Sequence, residues 1–148
     1  MNLSESLYFQ LIDQLDLEYT LSNIYRIKAE NENNPVVKIV YQKLRDDSSR
    51  HLALISNALK MLGKEVPKPR MKKIFEVEPS TMKKREISTD EIDTSLEELE
   101  AASATLFALV AEDFPDPSFS RFFWAMRDDE KVHLKLLKGI KAYKKRKA

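Results

Sequence analysis

The sequence predicts an all-α four-helix bundle made of two related helical hairpins joined by a long crossover. Three observations predict it. The 148 residues include only two Gly and six Pro, a composition that favours long helices over many-turned sheet. Apolar residues recur at helical spacing in four stretches. One shift of the chain also lays two separate blocks onto two others. Leu44-Arg45-Asp46-Asp47-Ser48-Ser49-Arg50-His51-Leu52 falls onto Met126 to Leu134, an offset of 133 − 51 = 82. The same offset carries Leu17-Glu18 onto Leu99-Glu100 and Tyr25 onto Phe107. A shift shared by separate blocks points to an internal duplication. The length is that of one domain, 1–148, able to bury a core.

The elements follow in order. Ser4 is a suitable N-cap, and Leu7, Leu11, Leu15, Glu18, Ser22, Tyr25 and Ala29 mark the seam of helix 1. Asn31 to Asn34 is a turn signal. Pro35 opens helix 2, where its missing N–H costs little. The second seam runs through Val37, Tyr41, Leu44, Ser48, His51, Ile55, Ala58 and Leu62, and Gly63 ends it. These helices form a hairpin over 4–63. Residues 64–87 show no sustained apolar period and carry Pro67, Pro69 and Pro79. So long a connection in a compact domain suits a crossover that runs the length of a bundle and leaves helices 2 and 3 parallel. The second hairpin spans 88–144. Ser88-Thr89-Asp90-Glu91 is a capping signature for helix 3, whose seam is Leu96, Glu100, Ser103, Phe107, Val110 and Phe114. Pro115-Asp116-Pro117 is the next turn, and helix 4 presents Phe119, Phe122, Met126, Glu130, His133, Leu137 and Ile140. The basic tail, Lys141 to Lys147, is expected to fray.

Composition narrows the function. Lys and Arg number 25 against 24 Asp and Glu, so no global charge bias calls for nucleic acid or an acidic membrane. The basic clusters Arg70 to Lys73, Lys83 to Arg85 and Lys141 to Lys147 read as solvated surface. There is no Cys, which excludes a disulfide framework, a thiolate-bound metal and a thiol nucleophile from these residues. The N-terminal stretch has no basic region followed by an apolar run, and no apolar run is long enough to span a bilayer. The expected location is the cytoplasm.

Each seam carries polar, metal-capable groups near its middle: Glu18, His51, Glu100, and the pair Glu130 and His133. Glu130 and His133 stand three apart, so on a helix they share one face. In di-metal carboxylate bundles, two helices each give a Glu and the other two each give Glu-x-x-His. This order is present here with one change: Ser48 stands where helix 2 would carry its Glu, and the offset aligns it with Glu130. With Leu17-Glu18 and Tyr25, the block from Ser48 to His51, Leu99-Glu100 and Phe107, and Glu130-Lys131-Val132-His133, the chain resembles the rubrerythrin branch of the ferritin-like family. The resemblance implies two bound irons, or other divalent metals, and reaction with peroxide, oxygen or ferrous iron. It places Glu18 with His51 on one metal, Glu100 with His133 on the other, and Glu130 between them. The chain departs from the family at Ser48, and it lacks the four cysteines of the rubredoxin-like domain that rubrerythrins carry.

Three buried Glu converging at mid-bundle require either cations or raised pKa values. The residues alone therefore leave two readings: metal binding, with iron, manganese or zinc as the cofactor, or a proton-sharing Glu–His network. Asp47 and Asp129 lie one residue off the seam and read as surface or supporting carboxylates rather than ligands. The expected activity is a di-metal oxidoreductase acting on peroxide or oxygen. The alternatives are a non-catalytic metal-binding or storage module, and a structural bundle that forms a homodimer or docks a partner through a helix face.

Overall fold

The structure, a computed structural model, describes residues 3–72 and 89–147. Four helices account for most of them: α1 Leu3–Asn31, α2 Pro35–Met61, α3 Thr89–Asp113 and α4 Pro117–Lys147. The offset of 82 reappears in their boundaries. It carries the end of α1, Asn31, onto the end of α3, Asp113, and the opening Pro35 of α2 onto the opening Pro117 of α4.

The helix ends follow local chemistry. Asn34 caps α2, its Oδ1 accepting the backbone N–H of Val36 at 3.0 Å and of Val37 at 3.2 Å. Asp116, the residue 82 further on, accepts from Ser118 N–H at 2.8 Å at the start of α4. Gly63 closes α2 in the left-handed region, with φ 70. Its N–H reaches Lys60 C=O while Lys64 N–H reaches Leu59 C=O, the paired bonds of a Schellman motif. Ser4 is not a cap, because α1 already includes it. The tail does not fray: α4 runs to Lys147, tied down by Lys141 to Glu97 at 3.0 Å and Lys144 to Glu32 at 2.8 Å. The expected cap at Ser88 and the basic cluster Lys83 to Arg85 lie outside the described residues.

α1 packs against α2, and α3 against α4. α1 also lies beside α3 and α2 beside α4, which leaves α1–α4 and α2–α3 as the diagonals among the described residues. Contacts fix the directions. Gln10 meets Asp113 and Tyr25 meets Glu100, so α1 and α3 are antiparallel. Asp47 meets His133 and Asp129 meets His51, so α2 and α4 are antiparallel too. With each hairpin antiparallel, α2 and α3 run the same way, as a lengthwise crossover requires. The start of that connection tracks α1: Lys64 lies over the Tyr8 ring, Arg70 N–H bonds Asp16 and Lys72 N–H bonds Thr20.

Two apolar layers fill the bundle. One gathers Leu21, Ile24, Tyr25, Val37, Tyr41, Leu96 and Leu137. The other gathers Leu7, Leu11, Ile55, Phe107, Phe114, Phe123 and Met126. One seam position needs correcting. Phe122 is 52% exposed and Phe123 1%, so the buried face of α4 steps from Phe119 to Phe123 to Met126. No helix among the described residues is long and apolar enough to cross a membrane.

Candidate metal centre

Between the two apolar layers lies a polar one. Glu18, Ser48, His51, Glu100, Glu130 and His133 are all fully buried, joined by Gln14 and Ser103. Each helix contributes from near its middle, and the antiparallel registers bring these turns to one level. All five residues expected from the sequence meet there. Ligand-capable atoms of Glu18, His51 and Glu130 lie within 4.8 Å of one another, as do those of Glu100, Glu130 and His133. Glu130 belongs to both groups. The two imidazoles stack with centroids 6.1 Å apart.

The aspartates orient the histidines. His51 Nε2 lies 2.8 Å from Asp129, and His133 Nε2 lies 2.9 Å from Asp47. With each Nε2–H donated to a carboxylate, Nδ1 is the nitrogen turned inward, the arrangement by which a neighbouring carboxylate fixes the tautomer of a metal-binding His. Asp47 is itself clamped by Lys43 at 2.9 Å and Arg50 at 3.1 Å. The reading of Asp47 and Asp129 as supporting carboxylates agrees with this placement.

Inside the centre, close approach and hydrogen bonding part company. His51 Nδ1 stands 3.0 Å from Glu130 Oε1 and 3.5 Å from Glu18 Oε2. Yet His51 Nδ1, Glu18 Oε2 and both oxygens of Glu130 are buried without a hydrogen-bond partner among the described residues. Polar atoms that crowd together without aligning on one another suit lone pairs aimed at a common third point. Buried polar atoms left in this way cost several kcal/mol in aggregate unless a ligand satisfies them. Glu100 Oε2 pairs with His133 Nδ1 at 3.0 Å, and the other oxygens of Glu18 and Glu100 are held by neutral donors. Glu18 Oε1 accepts from Ser103 Oγ at 3.0 Å and Gln14 Nε2 at 3.3 Å, and Glu100 Oε1 accepts from the Tyr25 hydroxyl at 2.8 Å.

The electrostatics of the protein's own groups point the same way. Burial, then the charges of Glu18 and Glu100, push Glu130 well above the carboxylate range. Burial also raises Glu18, against the pull of His51. Burial opposes charge on Glu100, but the imidazole of His133 and the hydroxyl of Tyr25 outweigh it and lower the group. Burial opposes charge on His133, but Glu100 and Asp47 prevail and raise it to about 9. His51 is raised against burial by Glu18 and Asp129. Acids crowded in this way must either hold protons or face cations. Imidazole nitrogen with carboxylate oxygen is a donor set that suits iron, manganese or zinc. The five residues fit such an ion pair.

Sequence reasoning missed Gln14 and the donor roles of Tyr25 and Ser103. Gln14 stands four residues before Glu18, on the same helix face, and that spacing was the available signal.

A four-helix bundle whose core layer holds three Glu and two His, with one Glu common to both halves, defines a class: helical carboxylate–histidine proteins whose centre could hold metal. The family model of rubrerythrin matches residues 14–141, and the chain belongs to the rubrerythrin family. No curated protein and no solved structure matches it.

Proposed function

We propose that the chain is a di-metal carboxylate protein, with iron as the leading metal, that reacts with peroxide or oxygen. The observation that carries this reading is the set of buried atoms on Glu18, His51 and Glu130 that crowd together without hydrogen bonds where the four helices meet. Glu18 and His51 would hold one metal, Glu100 and His133 the other, and Glu130 both. A bound iron pair supplies the redox chemistry that reduces the oxidant.

The protein's own residues do the rest. Asp129 and Asp47 hold the histidine tautomers. Burial and the adjacent Glu100 keep Tyr25 protonated, so its hydroxyl remains a hydrogen-bond donor to Glu100. The apolar layers above and below shield the centre from bulk water. The two hairpins, with matching prolines, caps and Glu/His positions at one offset, are read as descendants of a duplicated unit.

A second reading, a metal-binding or storage module without turnover, is favoured by Ser48, which removes one carboxylate from the centre. Both readings predict metal in protein purified without chelator, and about two irons per chain on titration. A chain that takes up no metal is a structural bundle. The sequence has no Cys to hold a thiolate-bound redox centre, so the assay supplies the reductant. Peroxide consumption by the iron-loaded protein then supports the oxidoreductase, and its absence supports the storage module.

A further inference from the structure

Ser48 is a buried hydroxyl in an ionic centre. It is fully buried and its Oγ has no hydrogen-bond partner among the described residues. It lies three residues before His51 on the inner face of α2, and the offset of 82 makes it the counterpart of Glu130. An unsatisfied buried hydroxyl costs about 1–3 kcal/mol, so the position calls for an acceptor. The charge calls for the same thing. Glu18, Glu100 and Glu130 supply three negative charges, and two divalent metals would leave one positive charge in a layer sealed from water.

We propose that a small monocarboxylate of formate size binds beside Ser48 and completes the centre as a fourth carboxylate. The inference rests on the di-metal reading. The ligand class follows from what the serine side chain lacks relative to the glutamate at its counterpart. Both begin with one methylene. Serine then offers a hydroxyl where glutamate continues to a second methylene and a carboxylate. The Oγ–H can donate to one carboxylate oxygen at about 2.7 Å. That separation exceeds a carbon–carbon bond, so the length is already used, and a one-carbon acid fits better than acetate with its added methyl. A monoanion brings four negative charges against two divalent ions, the balance a bridging glutamate would give. Hydroxide would match the charge but not the two-oxygen reach.

The test uses the whole protein freed of metal, with zinc as a redox-silent probe in a non-coordinating buffer. Zinc binding is measured by equilibrium dialysis in formate and in chloride at equal ionic strength. Formate is expected to strengthen zinc binding by about 5–150-fold, the usual range for two coupled ligands, with acetate weaker. By reciprocity, zinc should strengthen formate binding by the same factor. Ser48→Glu should bind zinc without formate dependence. Ser48→Ala loses the donor, and its formate effect should fall toward one. Ser48→Ala and the reciprocity measurement carry the test if Ser48→Glu does not fold. Equal zinc binding in formate and chloride overturns the proposal and leaves the metal reading standing. So does a formate effect that survives Ser48→Glu. Failure to bind zinc in either anion overturns both.

Discussion

Glu18 and Glu100 occupy corresponding turns of α1 and α3, yet different partners hold them. Glu100 receives the Tyr25 hydroxyl. The offset puts Phe107 in the matching place beside Glu18, and a phenyl ring has nothing to donate. It lies edge-on to His51 instead, centroids 5.5 Å apart. The donors to Glu18 come from Ser103 and Gln14, where the other half has the buried leucines Leu21 and Leu96. Each half thus has one aromatic face and one aliphatic or small-polar face, with the hydrogen-bonding group moved from one to the other. The next layer out differs as well. Asp47 is clamped by Lys43 and Arg50 and its side chain is 9% exposed, whereas that of Asp129 is 41% exposed. Glu18 and Glu100, and His51 and His133, obey the offset, but the groups that steady the two Glu need only deliver a proton donor to the same oxygen.

The sharpest way to break this comparison is to empty the aromatic positions. Tyr25 and Phe107 are both fully buried, and Phe107→Ala should cost about 3–5 kcal/mol in chemical denaturation. That corresponds to a fall in Tm of roughly 10 °C for a chain of this size. Tyr25→Ala should cost more than Phe107→Ala, because it also strips Glu100 of a donor. Equal losses would mean that the hydroxyl adds nothing to the packing of the ring.

The sequence made the bundle and its five central groups legible because polar residues on an otherwise apolar helical stripe stand out at once. The register of α4 was harder. Steps of three and of four from Phe119 both keep a helical stripe, so Phe122 and Phe123 were both admissible. The offset from Tyr41 to Phe123 would have decided it. Gln14 was hidden by its type, since an amide carries no charge to mark it on the stripe and its task is to donate to Glu18. Asp47 and Asp129 were visible as a pair, but their role depends on how α2 faces α4. Spacing within one helix says nothing of the angle at which its neighbour lies.

The second prediction concerns pH, and the two histidines sharpen it. In metal-free protein His133 is raised from 6.5 to about 9, so its stabilising effect is full below pH 6.5 and is lost as pH rises through about 9. Glu18, Glu130 and His51 are raised too, and they act with the same sign. Glu100 and Asp47 are lowered, so their contribution is present above their unfolded values of 4.5 and 3.8 and fades as pH falls below them. Chelator-treated protein should therefore be most stable on the acid side of neutrality. Melts between pH 6.5 and 9 should show His133 giving up as much as about 3 kcal/mol. His133→Gln should flatten that slope more than His51→Gln, because both nitrogens of His133 are hydrogen-bonded to carboxylates. Saturating zinc should reverse the slope, since metal ligands must lose their protons to bind. A slope that zinc leaves unchanged would place the titrating groups outside the centre.

The smallest effect belongs to the caps, where the halves are nearly alike. Asn34 accepts two backbone N–H groups at the start of α2, and its amide also donates to the Tyr143 hydroxyl at 3.2 Å, joining the first turn of α2 to the last turns of α4. Asp116 accepts one, from Ser118. Side-chain caps contribute about 0.5–2 kcal/mol, so Asn34→Ala should fall near the upper end and Asp116→Ala near the lower. Charge works against that order. The Asp116 carboxylate faces the positive end of the α4 dipole, worth about 0.3–1 kcal/mol at low ionic strength, whereas Asn34 is neutral. The two variants should therefore lie close together in dilute buffer and separate as salt is added. Salt screens the Asp116 interaction but leaves the three hydrogen bonds of Asn34 in place. Denaturant melts of both variants at low and high salt check this. If the gap between the two is the same at low and high salt, charge is not what distinguishes the caps, and the difference lies in the link from Asn34 to Tyr143.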